Sequence, residues 1–149
     1  MILIDANLLL YAYHPRAEQH VPSRIWLETV LSGPELVRFA WLTLWAFQRI
    51  STNSRVFERP LSASEAAGVV SSWLAAPTAG VLDPGERHWE ILRELMDVGQ
   101  TTGPLVMDAA LAAIAVEHGA TLHTTDRDFM RFPGLRWTNP LIAPTARNR

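Results

Sequence analysis

The chain has 149 residues, 48% of them hydrophobic, with thirteen basic against fifteen acidic residues and a formal net charge of −2. That length and composition fit one soluble domain with a sizeable core. The lack of cysteine excludes disulfides and thiolate metal sites, and the charge excludes general attraction to nucleic acid, so any such contact must come from local patches or a metal.

All thirteen basic residues are arginine, the side chain suited to bidentate phosphate contact. No basic segment with a long apolar core opens the chain, and no run approaches the roughly 18 apolar residues of a membrane span. A cytoplasmic protein is expected, with one domain over residues 1–140 and a tail over 141–149.

In chain order, Met1-Ile2-Leu3-Ile4 reads as a short buried strand that stops at Asp5-Ala6-Asn7, before a short helix runs through Tyr13. Asp5 then lies at a strand's carboxyl end, where ligands bind in open α/β sheets; the plainer reading makes Asp5 or Asn7 a helix cap. A second helix is expected from about Ala17 to Leu31, with Gly33-Pro34 as its stop, followed by a strand at Leu36–Phe39 and a strongly apolar helix from Trp41 to Ile50. Its tryptophans, Trp41 and Trp45, suit a core or an interface.

Ser51–Pro60 is a polar connection carrying Arg55 and Arg59. Ser62-Ala63-Ser64-Glu65 has the spacing of a capping box and opens a helix that Pro77 terminates. Val81-Leu82 is a short strand, and a helix from Glu86 reaches a stop at Gly99. Leu105 to Val116 is an alanine-rich helix able to pack on both sides, ending at Glu117-His118-Gly119. Asp108 lies on its first turn, where a carboxylate suits the helix dipole but is costly to bury without a partner. Thr121–Thr125 is a β-branched strand closed by Asp126-Arg127-Asp128, either of whose carboxylates can cap a turn. Leu135-Arg136-Trp137 is a possible edge strand.

Four of the six aspartates thus fall at strand ends or on the first turn of a buried helix: Asp5, Asp108, Asp126 and Asp128. If the strands are parallel their carboxyl ends share an edge and these side chains converge. A hard divalent ion such as Mg²⁺ or Mn²⁺, keeping waters for a substrate phosphate, resolves the resulting repulsion. None of the five histidines has ligand spacing.

Ile4-Asp5-Ala6-Asn7-Leu8-Leu9, Met107-Asp108-Ala109-Ala110-Leu111-Ala112-Ala113-Ile114-Ala115 and Thr125-Asp126-Arg127-Asp128-Phe129, in this order and at these separations, resemble a PIN domain. The likeness is closest to the VapC toxins of type II toxin-antitoxin systems, in a mycobacterial-type branch, and it extends over essentially the whole chain. It implies an α/β fold with a mainly parallel central sheet flanked by helices, a Mg²⁺-dependent endoribonuclease, a homodimer and a cognate antitoxin. Carried over by position, it implies Asp5, Asp108 and Asp126 as metal ligands, with Asp128 nearby in the catalytic cluster. Asn7 and Thr124 become the polar residues that fix ligands or water, and Arg127, Arg49, Arg55 and Arg59 are candidates for contact with RNA phosphates.

One departure stands out: PIN nucleases usually carry a further acid on the helix after the second strand, and here Ala46 occupies the matching position on a helix with no carboxylate. A catalytically weak module that binds RNA or an antitoxin is therefore the alternative. A phosphohydrolase of small esters is a more remote one, since Asp126-Arg127-Asp128 comes late in the chain.

Overall fold

The computed structural model describes residues 1–142, so the tail expected at 141–149 lies outside the described residues except for Leu141 and Ile142. Its centre is β1 (Ile2–Ile4), all three of whose side chains are buried. β1 pairs in parallel with β2 (Val37–Ala40) on one side and β4 (Thr121–His123) on the other. β3 (Ala79–Leu82) extends the sheet beyond β2, and β5 (Trp137–Thr138) beyond β4, both also parallel. The order is β3-β2-β1-β4-β5.

Period-two alternation sends neighbouring residues of β1 to opposite faces. Leu3 joins one apolar cluster with Leu122 of β4, while Ile2 and Ile4 join a second with Val37 and Phe39 of β2. The first is covered by α5 (His88–Gly99) and α6 (Leu105–His118). The second is covered by α1 (Ala6–Ala12), α2 (His20–Ser32), α3 (Trp41–Ser51) and α4 (Ala63–Leu74). The result is a three-layer α/β/α arrangement. Trp73 of α4 stacks on Phe39 at 5.8 Å and meets Phe47 of α3 edge-on at 4.7 Å, so aromatic packing fixes α3 and α4 to the sheet.

Several local features depart from the sequence reading. The second helix starts at His20, which places Pro22 in its first turn, where the missing N–H removes no intrahelical bond. Ser62 caps α4 by accepting from the Glu65 N–H at 3.0 Å, but among the described residues no return bond from the glutamate completes a capping box. Gly99 does not stop α5 by turning left-handed; Gln100 does, at φ 49°. A Cβ on Gly99 would come within 3.0 Å of the Phe132 ring, so that glycine serves close packing. Gly119, at φ 66°, ends α6 in the expected way. The edge strand sits at Trp137–Thr138, shifted from Leu135–Trp137.

On α3 the two tryptophans are exposed, and Leu44 and Phe47 supply the core face. No helix among the described residues is long and apolar enough to cross a membrane.

Candidate active site

Strand order reverses between β1 and β4: the chain winds one way from β1 through β2 to β3, and β4 and β5 lie on the other side. At such a switch point the loops leaving adjacent strands diverge and open a crevice beyond the strands' carboxyl ends. Asp5 is the residue after β1, and Thr124 the residue after β4.

Thr124 is fully buried and joins these two ends. Its hydroxyl donates to Asp5 Oδ2 at 2.7 Å. It accepts from Asn7 Nδ2 at 3.3 Å and from the Asp126 N–H at 3.0 Å. One hydroxyl with one proton and two lone pairs is thereby saturated. The other oxygen of Asp5 accepts from the Ala6 N–H at 2.7 Å, capping α1. Cap and cleft carboxylate are therefore the same side chain. Burial dominates the Asp5 environment and pushes its pKa up, against the Thr124 and Ala6 hydrogen bonds, with the Asp126 charge adding to the rise.

Asp108 enters from the first turn of α6. Its carboxyl is pushed up to about 6, first by desolvation, then by the charges of Asp5, Asp126 and Asp128, with Arg131 pulling the other way. Three carboxylates thus act on Asp108 across the crevice, and Asp126 acts on Asp5 as well. Asp126 also caps the 3-10 turn Arg127–Arg131, accepting from the Asp128 N–H at 2.8 Å. Asp128 is exposed at the rim, with Arg131 Nη2 at 3.8 Å from its carboxylate.

Arg131 is the cation that sequence reasoning missed; the signal was its position three residues after Asp128, on one face of a helical turn. Arg127 points to solvent and makes no ion pair among the described residues.

Asp5 and Asp108 line a cleft of about 440 Å³ whose other wall is α3, with Thr43, Trp45, Ala46 and Arg49. Ala46 and Arg49 therefore line the same cleft as the two carboxylates. Arg59 instead lines a separate hollow with His14 and Phe57. His123 stacks on Trp26 at 5.5 Å, and burial lowers its pKa. His118 contacts the Asp83 carbonyl oxygen at 2.8 Å.

Among the described residues no three acidic or histidine side chains are grouped so as to enclose a metal ion by themselves. The donor set suits a different type of ion: Mg²⁺ typically takes one or two carboxylates and completes its octahedron with water and substrate phosphate. The mutually repelling carboxylates, and the buried Asn7 Oδ1 that has no hydrogen-bond partner among the described residues, fit such a hydrated cation.

The family profile described as PIN domain matches residues 2–135. Ribonuclease VapC37 of Mycobacterium tuberculosis is 46% identical over 140 residues, spanning 94% of this chain and 97% of its own. Ribonuclease VapC33 of the same organism is 38% identical over 141 residues, spanning 95% and 99%. In three dimensions the fold matches that of VapBC2 from Rickettsia felis, solved bound to a DNA fragment from its promoter, with TM-score 0.65 and 18% identity over 93% of this chain and 98% of that one. The chain belongs to the PIN domain family, among the VapC ribonucleases.

Proposed function

We propose that the protein is the toxin of a type II toxin-antitoxin pair, a cytoplasmic, metal-dependent endoribonuclease that hydrolyses RNA phosphodiester bonds and is neutralised by a cognate antitoxin. The observation that carries this reading is the gathering of Asp5, Asp108, Asp126 and Asp128 at the strand-order switch point, close enough that the charges of the other three help to raise the pKa of Asp108. So much negative charge repels a phosphodiester unless a cation stands between them.

Asp5 and Asp108 would hold Mg²⁺, for which Mn²⁺ would substitute, and Asp126 would help to position the ion or its water. When bound, the ion supplies a water of lowered pKa and positive charge against the phosphate oxygens.

The remaining residues orient these groups. Thr124 fixes the Asp5 carboxylate through its hydroxyl and ties it to the Asp126 backbone. Asn7, anchored to Thr124 through Nδ2, keeps Oδ1 free for a water or the cation's hydration shell. Asp128 adds negative field at the rim. Arg49, which lines the same cleft, and the exposed Arg127 meet flanking phosphates. A homodimer is part of the proposal, on family likeness alone.

Purified protein free of antitoxin should cut total RNA into discrete fragments with Mg²⁺ or Mn²⁺ and not with EDTA. Asp5→Asn should remove the activity while leaving the fold intact, because asparagine caps a helix as well as aspartate does. Full cleavage by Asp5→Asn, or cleavage in EDTA, overturns the assignment. A second reading, a binding module of weak catalysis, draws on Ala46, which puts a methyl group on the cleft wall where the family usually has an acid. Metal-independent RNA binding without cleavage would favour it.

A further inference from the structure

The cleft does not end at its carboxylates. It continues along α3, where Trp45 is 66% exposed and Arg49 follows one helical turn later on the same face. Met107, 54% exposed and adjacent to Asp108 in sequence, stands at the α6 side of the same space. Between them the small Ala46 leaves the wall open. Thr43 lines the cleft too: it is 1% exposed, yet its hydroxyl has no hydrogen-bond partner among the described residues.

A buried hydroxyl without a partner is costly in a finished core and is commonly satisfied by water or ligand. A large indole left in solvent forgoes burial that the neighbouring Leu44 and Phe47 obtain. Neither feature serves the packing of α3. Both serve a ligand that is flat and apolar on its faces, polar at its edge and negatively charged alongside.

An unstacked nucleotide has that chemistry. Its base offers a π-face to the indole and hydrogen-bonding edge atoms to a hydroxyl, and its phosphate meets an arginine. The volume, about 440 Å³, lies within the roughly 300–1,000 Å³ range of small-ligand sites.

We propose that the α3 side of the cleft is a nucleoside subsite. A base splayed out of single-stranded RNA stacks on Trp45, Arg49 holds a phosphate next to the one cleaved, and Thr43 meets the base edge. This rests on the nuclease reading of Asp5 and Asp108, and it makes Trp45 a selector of unpaired RNA. Paired bases cannot present a face to the indole, so a duplex of the same sequence is excluded.

The test uses short oligoribonucleotides, single-stranded or annealed to a complement, with 2-aminopurine at successive positions and Mg²⁺ present. Stopped-flow fluorescence reads stacking before cleavage, and a gel reads cleavage. Quenching should occur at one position only. Trp45→Ala should weaken binding by roughly tenfold or more, raise KM with little change in kcat and abolish the quench, while Trp45→Phe restores most of both. Arg49→Ala should raise KM and reduce its salt dependence.

Unchanged affinity and quench in Trp45→Ala, or equal binding of the duplex, overturns the subsite. Loss of antitoxin binding in Trp45→Ala with RNA binding intact also overturns it, in favour of a protein interface. Absence of cleavage by the unmodified protein, with a quench that still depends on Trp45, refutes the nuclease reading and leaves the subsite standing.

Discussion

Replacing Asp108 with asparagine should stabilise the metal-free protein. The Asp108 carboxyl is pushed from 3.8 up to about 6 by burial and by the charges of Asp5, Asp126 and Asp128, so its ionised form is disfavoured in the fold. A rise of about two pH units corresponds to an upper bound of about 3 kcal/mol, at 1.36 kcal/mol per unit. Asp108 is only partly buried, solvent screens the interaction, and about 1 kcal/mol is the reasonable magnitude.

Between pH 3.8 and about 6 the folded chain holds a proton that the unfolded chain has released, so stability falls as pH rises through this window. Below it the penalty is absent, and above it fully present. In EDTA the Tm of Asp108→Asn should therefore exceed that of the unmodified protein by about 2–4 °C at pH 7.5 for a chain of this size. The gap should narrow toward zero near pH 4. Adding Mg²⁺ should raise the Tm of the unmodified protein, since a ligand of the folded state stabilises it by mass action, and should do little for the variant. Calorimetry across pH 4–8 checks all three. A variant less stable than the parent at pH 7.5 in EDTA, or a gap independent of pH, refutes the electrostatic account of the cluster.

Thr124→Val should cost about 1–3 kcal/mol in urea unfolding, because the buried hydroxyl that serves Asp5, Asn7 and Asp126 is lost; Thr124→Ser should recover most stability and cleavage, and equal loss in both variants would assign the effect to packing. Ala46→Glu places a further carboxylate against Asp5 and Asp108. It should lower stability in EDTA and tighten Mg²⁺ binding in a calorimetric titration, and an unchanged metal affinity would mean that position 46 does not reach the ion.

The parts legible in the sequence were those where one signal has one structural solution. A short apolar run cut off by Asp5 gives a buried strand ending at a polar edge, and the Leu105–Val116 run gives a helix buried on several sides, as α6 is. Capping and cleft roles, which compete as readings for Asp5 and Asp126, coexist in the structure, because a carboxylate has about four acceptor sites and an N–H at the cap occupies only one of them. The exposure of Trp45 was not legible. Trp41 to Phe47 is apolar around nearly its whole circumference, so periodicity does not choose the core face, and only packing against Phe39 and Trp73 does. Gln100 replaced Gly99 as the left-handed residue for a similar reason, the contact with Phe132 lying more than thirty residues away in sequence. Thr124 could be placed at the site by likeness, but its saturated hydroxyl needs β4 beside β1 to be seen.

The hydrogen bond between Thr124 and Asp5 spans 119 residues, and β4 can pair with β1 only after the chain has passed through α6. Contacts that distant are made after the loop-closure entropy of the intervening chain has been met. Translation therefore delivers Asp5 among the first residues and withholds Thr124 and Asp126 until most of the chain has emerged. A chain released before β4 lacks both residues and carries only Asp5 and Asp108 of the acidic cluster. The topology thus orders assembly: the cluster of Asp5, Asp108, Asp126 and Asp128 is complete only when the chain is nearly whole.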